Sequence, residues 1–200
     1  MSTPTLKLAV ILGSVREGRR GPVVGRWFRQ QAEQHGQFDV DYIDLAEVPL
    51  PLALPALPPL MGEPERPEGL AAVTGKLAAA DAFVIVTPEY NHSYPASIKT
   101  LVDWHFTQWR AKPVAFVSYG GIGAGLRSVE HLRAVFAELH AVTVRDSVCF
   151  PQYWELFDAE GQPRDAEGAN GAAKVMLDQL AWWGSALHLA RETSPYPQGD

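Results

Sequence analysis

The chain has 200 residues, is 46% hydrophobic and 20% charged, and carries a formal net charge of −6. That length suits one domain with a sizeable core, and an acidic balance argues against a protein whose main task is to hold nucleic acid. The single cysteine, Cys149, excludes a disulfide framework and any cysteine cluster for zinc or iron–sulfur, and it favours a reduced, cytoplasmic setting.

The start, Met1-Ser2-Thr3-Pro4-Thr5, lacks the basic region and apolar core of a signal peptide. Leu6 to Leu12 (LKLAVIL) is an apolar run stopped by Gly13 and reads as a buried strand. Pro22 suits the first turn of a helix, where its missing N–H costs nothing. Val24, Trp27 and Phe28 give that helix an apolar face, and it runs to about Gly36. Phe38 to Leu45 alternates apolar and acidic residues, the pattern of an edge strand.

The longest uncharged apolar stretch, 48–62, contains Pro49, Pro51, Pro55, Pro58 and Pro59, which rules out a membrane-spanning helix there. It reads equally well as a loop packed on the core and as a lid or subunit contact. Leu70, Val73, Leu77 and Ala80 mark a helix. Ala82 to Val86 (AFVIV) is a strand buried on both faces. Pro95 opens a third helix through Ile98, Leu101 and Val102, extended by Trp104 and His105. Pro113 to Ser118 is a fourth strand, Leu126 to Leu139 a helix, and Ala141 to Phe150 a fifth strand.

Residues 151–170 read as irregular, with Asp-Ala-Glu-Gly occurring at both Asp158 and Asp165. A last helix is expected over about 172–191, with Met176, Leu177, Leu180, Trp183 and Leu187 inward. Cys149 reads as a core residue rather than a nucleophile, and Trp104, Trp109, Trp182 and Trp183 as core or interface residues. No two histidines have metal-ligand spacing, and only His92 stands out by position.

Five alternations of strand and helix predict an α/β, flavodoxin-like three-layer sandwich. Its five-stranded parallel sheet has order 2-1-3-4-5, and residues 1–200 form a single domain. In such a sheet ligands bind beyond the carboxyl ends of the strands where the order reverses, here between strands one and three. The loops after strands one, three and four are the ones rich in Gly, Pro, Ser and Asn.

In the first loop Gly13, Gly18 and Gly21 free the backbone to turn N–H groups inward, Ser14 offers a hydroxyl, and Arg16 a fixed cation. The helix dipole beginning near Pro22 adds to this, so the loop suits a terminal monophosphate. The second loop, Pro88 to Ser93, offers backbone groups and Asn91 to a polar ring edge. Asn91 and Ser93 also read simply as caps for the helix at Pro95. The third, Ser118 to Gly125, lets backbone approach a ring closely.

Gly13-Ser14-Val15-Arg16, then Pro88-Glu89-Tyr90-Asn91-His92-Ser93-Tyr94-Pro95 running into Asp103-Trp104, then Ser118-Tyr119-Gly120-Gly121 resemble the NADPH-dependent FMN reductase family, whose relatives include quinone and azo reductases. The resemblance covers about residues 6–150. It implies FMN phosphate contacts at Ser14, Arg16 and the backbone of Gly21, Pro22 and Val23. It implies flavin ring contacts at Pro88, Glu89, Tyr90 and Asn91, and at Ser118, Tyr119, Gly120 and Gly121. Many members carry Ser and Asn where this chain has Arg19 and Gly21, which leaves Arg19 or Arg20 as substitute contacts. Many carry an aromatic where this chain has His92.

The resemblance further implies NADPH or NADH as electron donor and a small acceptor: a quinone, azo compound, flavin or metal oxyanion. It implies a homodimer or homotetramer, while the acidic charge and the proline-broken apolar stretch speak against a nucleic-acid or membrane partner. No acid–base pair is expected, because hydride transfer is the cofactors' own chemistry. The rival readings are a flavodoxin-like electron carrier without nicotinamide activity and a signalling module with an empty switch point.

Overall fold

The computed structural model describes residues 5–56, 62 and 64–197. Strands β1 (Leu6–Leu12), β2 (Phe38–Asp44), β3 (Ala82–Pro88), β4 (Pro113–Tyr119) and β5 (Val142–Phe150) form one parallel sheet in the expected order β2-β1-β3-β4-β5. The helices are α1 (Gly21–His35), α2 (Leu70–Ala79), α3 (Ala96–Asp103), α4 (Leu126–Glu138) and α5 (Ala166–Thr193).

The two-residue period of the strands divides the core into two. Leu8, Val10 and Leu12 of β1, Val84 and Val86 of β3, and Ala115 and Val117 of β4 face α1 and α5, where Val24, Trp27, Phe28, Met176 and Leu180 cover them. Ala9, Ile11, Phe83, Ile85, Val114 and Phe116 face α2, α3 and α4. Strands sandwiched on both faces need apolar residues at nearly every position, which is why β1, β3 and β4 are mostly apolar, the exceptions being exposed Lys7 near the start of β1 and Thr87 and Ser118 near the carboxyl ends of β3 and β4.

β1 and β3 part at Gly13. Its N–H bonds to Val86 O at 2.9 Å and its carbonyl accepts Ser97 Oγ at 2.5 Å. A Cβ at Gly13 would collide with Ile98, so glycine lets α3 close onto the strand ends here.

Several expectations need correction. α3 stops at Asp103, and Trp104 is its C-cap rather than an extension. α5 begins at Ala166, six residues before the expected start, because the Asp165 carboxylate caps it by accepting Gly168 N–H at 2.9 Å. The earlier copy of the same tetrapeptide ends in a turn instead. Gly161 takes φ +80°, and Asp158 Oδ1 accepts Gln162 N–H at 2.7 Å.

Trp183 points outward, because the sheet-facing position beside it is Gly184, packed against Leu6. Trp182 is 65% exposed. Trp104 and Trp109 are buried. Cys149 is exposed, not a core residue: β5 is the far edge, and Val148 and Phe150 take its inward positions.

The proline-rich segment divides. Val48 and Leu50 pack on the core, and Pro51 O accepts Trp104 Nε1 at 2.9 Å. Leu52 and Leu54 are exposed, and 57–61 and 63 lie outside the described residues. Among the described residues no helix is long and apolar enough to cross a membrane.

Candidate active site

The loops after β1, β3 and β4 meet over a cleft of about 200 Å³ at the carboxyl ends of the strands. The first loop contributes Ser14, Arg16, Arg19 and Arg20, the second Pro88, Glu89 and Tyr90, and the third Tyr119, Gly120 and Gly121. Arg16 and Tyr90 therefore share one rim. A larger groove of about 540 Å³ lies between α1 and α5, lined by Gln31, His35, Asn170 and Lys174, and none of the three loops reaches it.

The first loop wraps the N-terminus of α1. No side chain caps that terminus, and no acidic residue lies in its first turn. The positive end of the helix dipole is thus not neutralised from within. Ser14 is 1% exposed and Tyr119 3%. Ser14 Oγ and Tyr119 Oη face one another beside Gly21, yet neither completes a well-formed hydrogen bond. Burial pushes the Tyr119 phenol well above its ordinary pKa, with Ser14 opposing the rise.

A Cβ on Gly21 would collide with both oxygens, so glycine keeps this cradle open. Such orphaned hydroxyls are costly unless a ligand or water completes them.

The structure separates the arginines of this loop. Arg16 and Arg20 are exposed at the rim. Arg19 is bound in a two-pronged pair with Asp44 at 2.7 Å to each oxygen, and its Nη1 also donates to Ser14 O at 2.7 Å. The hydrogen bonds to Asp44 raise the Arg19 pKa above its ordinary value. Arg19 thus ties the loop to the end of β2. Pro22 sits half-buried in the first turn of α1, and Val23 lines a neighbouring groove with Tyr153 and Phe157.

The second loop folds into a tight reversal. Tyr90 and Ser93 exchange backbone hydrogen bonds at 2.8 and 3.1 Å around Asn91 and His92, both at positive φ (48° and 73°). That is the type I′ arrangement, which prefers Asn-Gly, so a histidine with a left-handed backbone stores strain at the tip. Asn91 and His92 are exposed there. Ser93 does not cap α3, whose N-cap is Pro95 without a side-chain bond; its hydroxyl meets His131 Nδ1 at 2.9 Å.

In the third loop Ser118 is fully buried with an unpartnered Oγ, behind Gly125. The loop is held by Gly120 N–H to Phe150 O at 3.2 Å and Gln152 N–H to Gly121 O at 3.1 Å.

Sequence reasoning missed two side chains that wall the cleft. Tyr153 stacks edge-on to Tyr119 at 5.1 Å, and Trp154 continues the aromatic wall at 5.4 Å from Tyr153. In the sequence Tyr153 and Trp154 stand only as part of the irregular stretch 151–170. Their meeting with Tyr119 depends on how the chain turns after β5.

Residues 6–155 match the family described as NADPH-dependent FMN reductase. The chain belongs to this family. Among its relatives, an NAD(P)H-dependent FMN reductase of Schizosaccharomyces pombe is 39% identical over 122 residues, 60% of this chain and 61% of that protein. This chain therefore spans less than two thirds of that relative. A probable NADPH:quinone oxidoreductase of Oryza sativa is 31% identical over 194 residues, 90% of this chain and 92% of that protein. A flavoenzyme NAD(P)H:(acceptor) oxidoreductase of Paracoccus denitrificans shares the fold, with TM-score 0.69 at 23% identity, covering 90% of this chain and 98% of that one.

Proposed function

We propose that the chain is an FMN-dependent NAD(P)H oxidoreductase that reduces a small acceptor such as a quinone. The observation that carries this reading is the convergence of three loops on one cleft whose buried hydroxyls lack partners, in a chain of the FMN reductase family. The residues fit the cofactor's phosphate. Ser14 offers an unpartnered hydroxyl, Arg16 a free-standing cation, Gly21 the space, and α1 an uncapped terminus. The backbone at Pro88 to Asn91 and at Ser118 to Gly121 would hold the ring.

When bound, FMN supplies two-electron chemistry between a nicotinamide and the acceptor. This chain's own residues bind, orient and exclude water: Tyr153 and Trp154 wall the cleft, and Glu89 and Tyr90 of the second loop line its rim. One mouth for donor and acceptor implies that they use it in turn. Steady-state assays with NADPH and a quinone are expected to give parallel double-reciprocal lines. FMN-loaded protein that oxidises no NADPH or NADH would instead be an electron carrier.

We also propose that the chain pairs with a second copy through α5. Val175, Trp182 and Leu189, 51%, 65% and 61% exposed, recur every seven residues on its outer face. Antiparallel pairing centred on Trp182 sets Val175 of each copy against Leu189 of the other, so one stripe is complementary to itself. Small residues beside Trp182, namely Ala181, Ser185 and Ala186, line a groove into which the partner's tryptophan fits. Light scattering is expected to give twice the 21.9 kDa chain mass, and Trp182→Lys to give single chains. A parent protein that is monomeric at micromolar concentration contradicts the pairing.

A further inference from the structure

The second loop carries little to hold itself in place. Among the described residues its turn is closed by the Tyr90–Ser93 backbone pair, and two left-handed residues strain its tip. Its anchors come from α4. Ser128 Oγ donates to Pro88 O at 2.8 Å, Arg127 Nε donates to Glu89 Oε1 at 2.6 Å, and His131 Nδ1 meets Ser93 Oγ at 2.9 Å. Positions 127, 128 and 131 lie on one side of a helix, so one surface of α4 grips three points of the loop.

The same helix starts where the third loop ends, at Gly125 with φ +79°. Arg127 reaches that loop as well, because its guanidinium packs on Gly123 so closely that a Cβ there would collide with it.

Arg127 therefore touches both ring-side loops, one through an ion pair and one through packing. We propose that Arg127 is a positioning residue, with Ser128 and His131 in support, which fixes the spacing between the two loops that would flank the flavin ring. This rests on the flavin reading of the cleft. Glu89 makes the arrangement sensitive. Its side chain is only 11% exposed, and Oε2 is buried without a partner beside Gly123. Without Arg127 the carboxylate is left unpaired in the cleft wall, and a shift of the loop outward returns it to water.

The test compares the parent with Arg127→Met, Arg127→Lys and the double variant Glu89→Gln/Arg127→Met. The readouts are the melting temperature of FMN-free protein, the dissociation constant for FMN from fluorescence titration, and the visible spectrum of the bound flavin. Arg127→Met is expected to lower the melting temperature, weaken FMN binding about 10-fold and shift the spectrum. The double variant removes the stranded charge, so its melting temperature recovers while its FMN affinity and spectrum stay altered. Arg127→Lys restores part of the affinity, since a point cation reaches Glu89 but cannot brace Gly123.

Parent-like affinity and spectrum in Arg127→Met overturn the proposal. So does a double variant that regains affinity together with stability, for then the pair is purely structural. A parent that takes up no FMN overturns the flavin reading itself, and this inference with it.

Discussion

Replacing Gly21 by valine is expected to abolish measurable FMN binding while leaving a folded protein. Gly21 opens α1 with an ordinary helical backbone, so the substitution introduces no left-handed strain there. What it introduces is volume. The first added carbon already collides with Ser14 Oγ and Tyr119 Oη and lies 3.1 Å from Leu12 Cδ1. Both hydroxyls belong to buried side chains. The branched side chain fills the space in which a phosphate would meet the helix terminus.

Overpacking of this kind costs about 1–3 kcal/mol, which a folded domain survives. FMN affinity, which depends on the filled space itself, should fall by at least about 100-fold. Titration of the variant with FMN, beside its circular dichroism spectrum, checks both halves. A Gly21→Val protein that binds FMN like the parent would place the phosphate elsewhere.

The second large effect separates two arginines three residues apart. Arg19→Ala removes a strut: Asp44 loses its two-pronged partner and the Ser14 carbonyl loses its donor. The side chains of Arg19 and Asp44 are 19% and 10% exposed, between a surface pair and a buried one, so the loss is expected to be about 2 kcal/mol. FMN binding weakens as well, because the phosphate loop is no longer tied to β2.

Arg16→Ala behaves differently. Arg16 is exposed at the cleft rim, so stability should hold within about 0.5 kcal/mol while FMN affinity drops about 10-fold or more. Urea melts of the FMN-free variants and FMN titrations read the two effects apart. If Arg19→Ala leaves stability unchanged and only weakens FMN, Arg19 is a phosphate contact, as the resemblance suggested, and not a strut.

How much of this was legible in the sequence depends on the range of the interaction. β1 runs from Leu6 to Leu12, as its apolar run indicates, and β3 and β4 were visible because strands covered on both faces are apolar along most of their length. The start of α5 was not. Two identical tetrapeptides, at Asp158 and Asp165, take opposite fates. The first is followed within two residues by Pro163, whereas the second runs into a long helix-forming stretch.

Cys149 was misread although the expected order already made β5 an outer strand: it takes the outward position between inward Val148 and Phe150. The three loops could be named from their Gly, Ser and Asn content. The contacts that hold the second loop could not: Arg127 and Glu89 are 38 positions apart, as are His131 and Ser93. Only the packing of α4 against the sheet brings them together. Arg19 showed the same limit, since its partner Asp44 lies 25 residues away and nothing local marks the pair.

Calorimetric titration of the parent protein with FMN and, separately, with riboflavin tests the site most directly. The two ligands share the ring and differ by the phosphate alone. The arrangement of Ser14, Arg16, Gly21 and the uncapped end of α1 predicts that FMN binds at least about 100-fold more tightly than riboflavin. Equal affinities for the two, or no uptake of either, would contradict it.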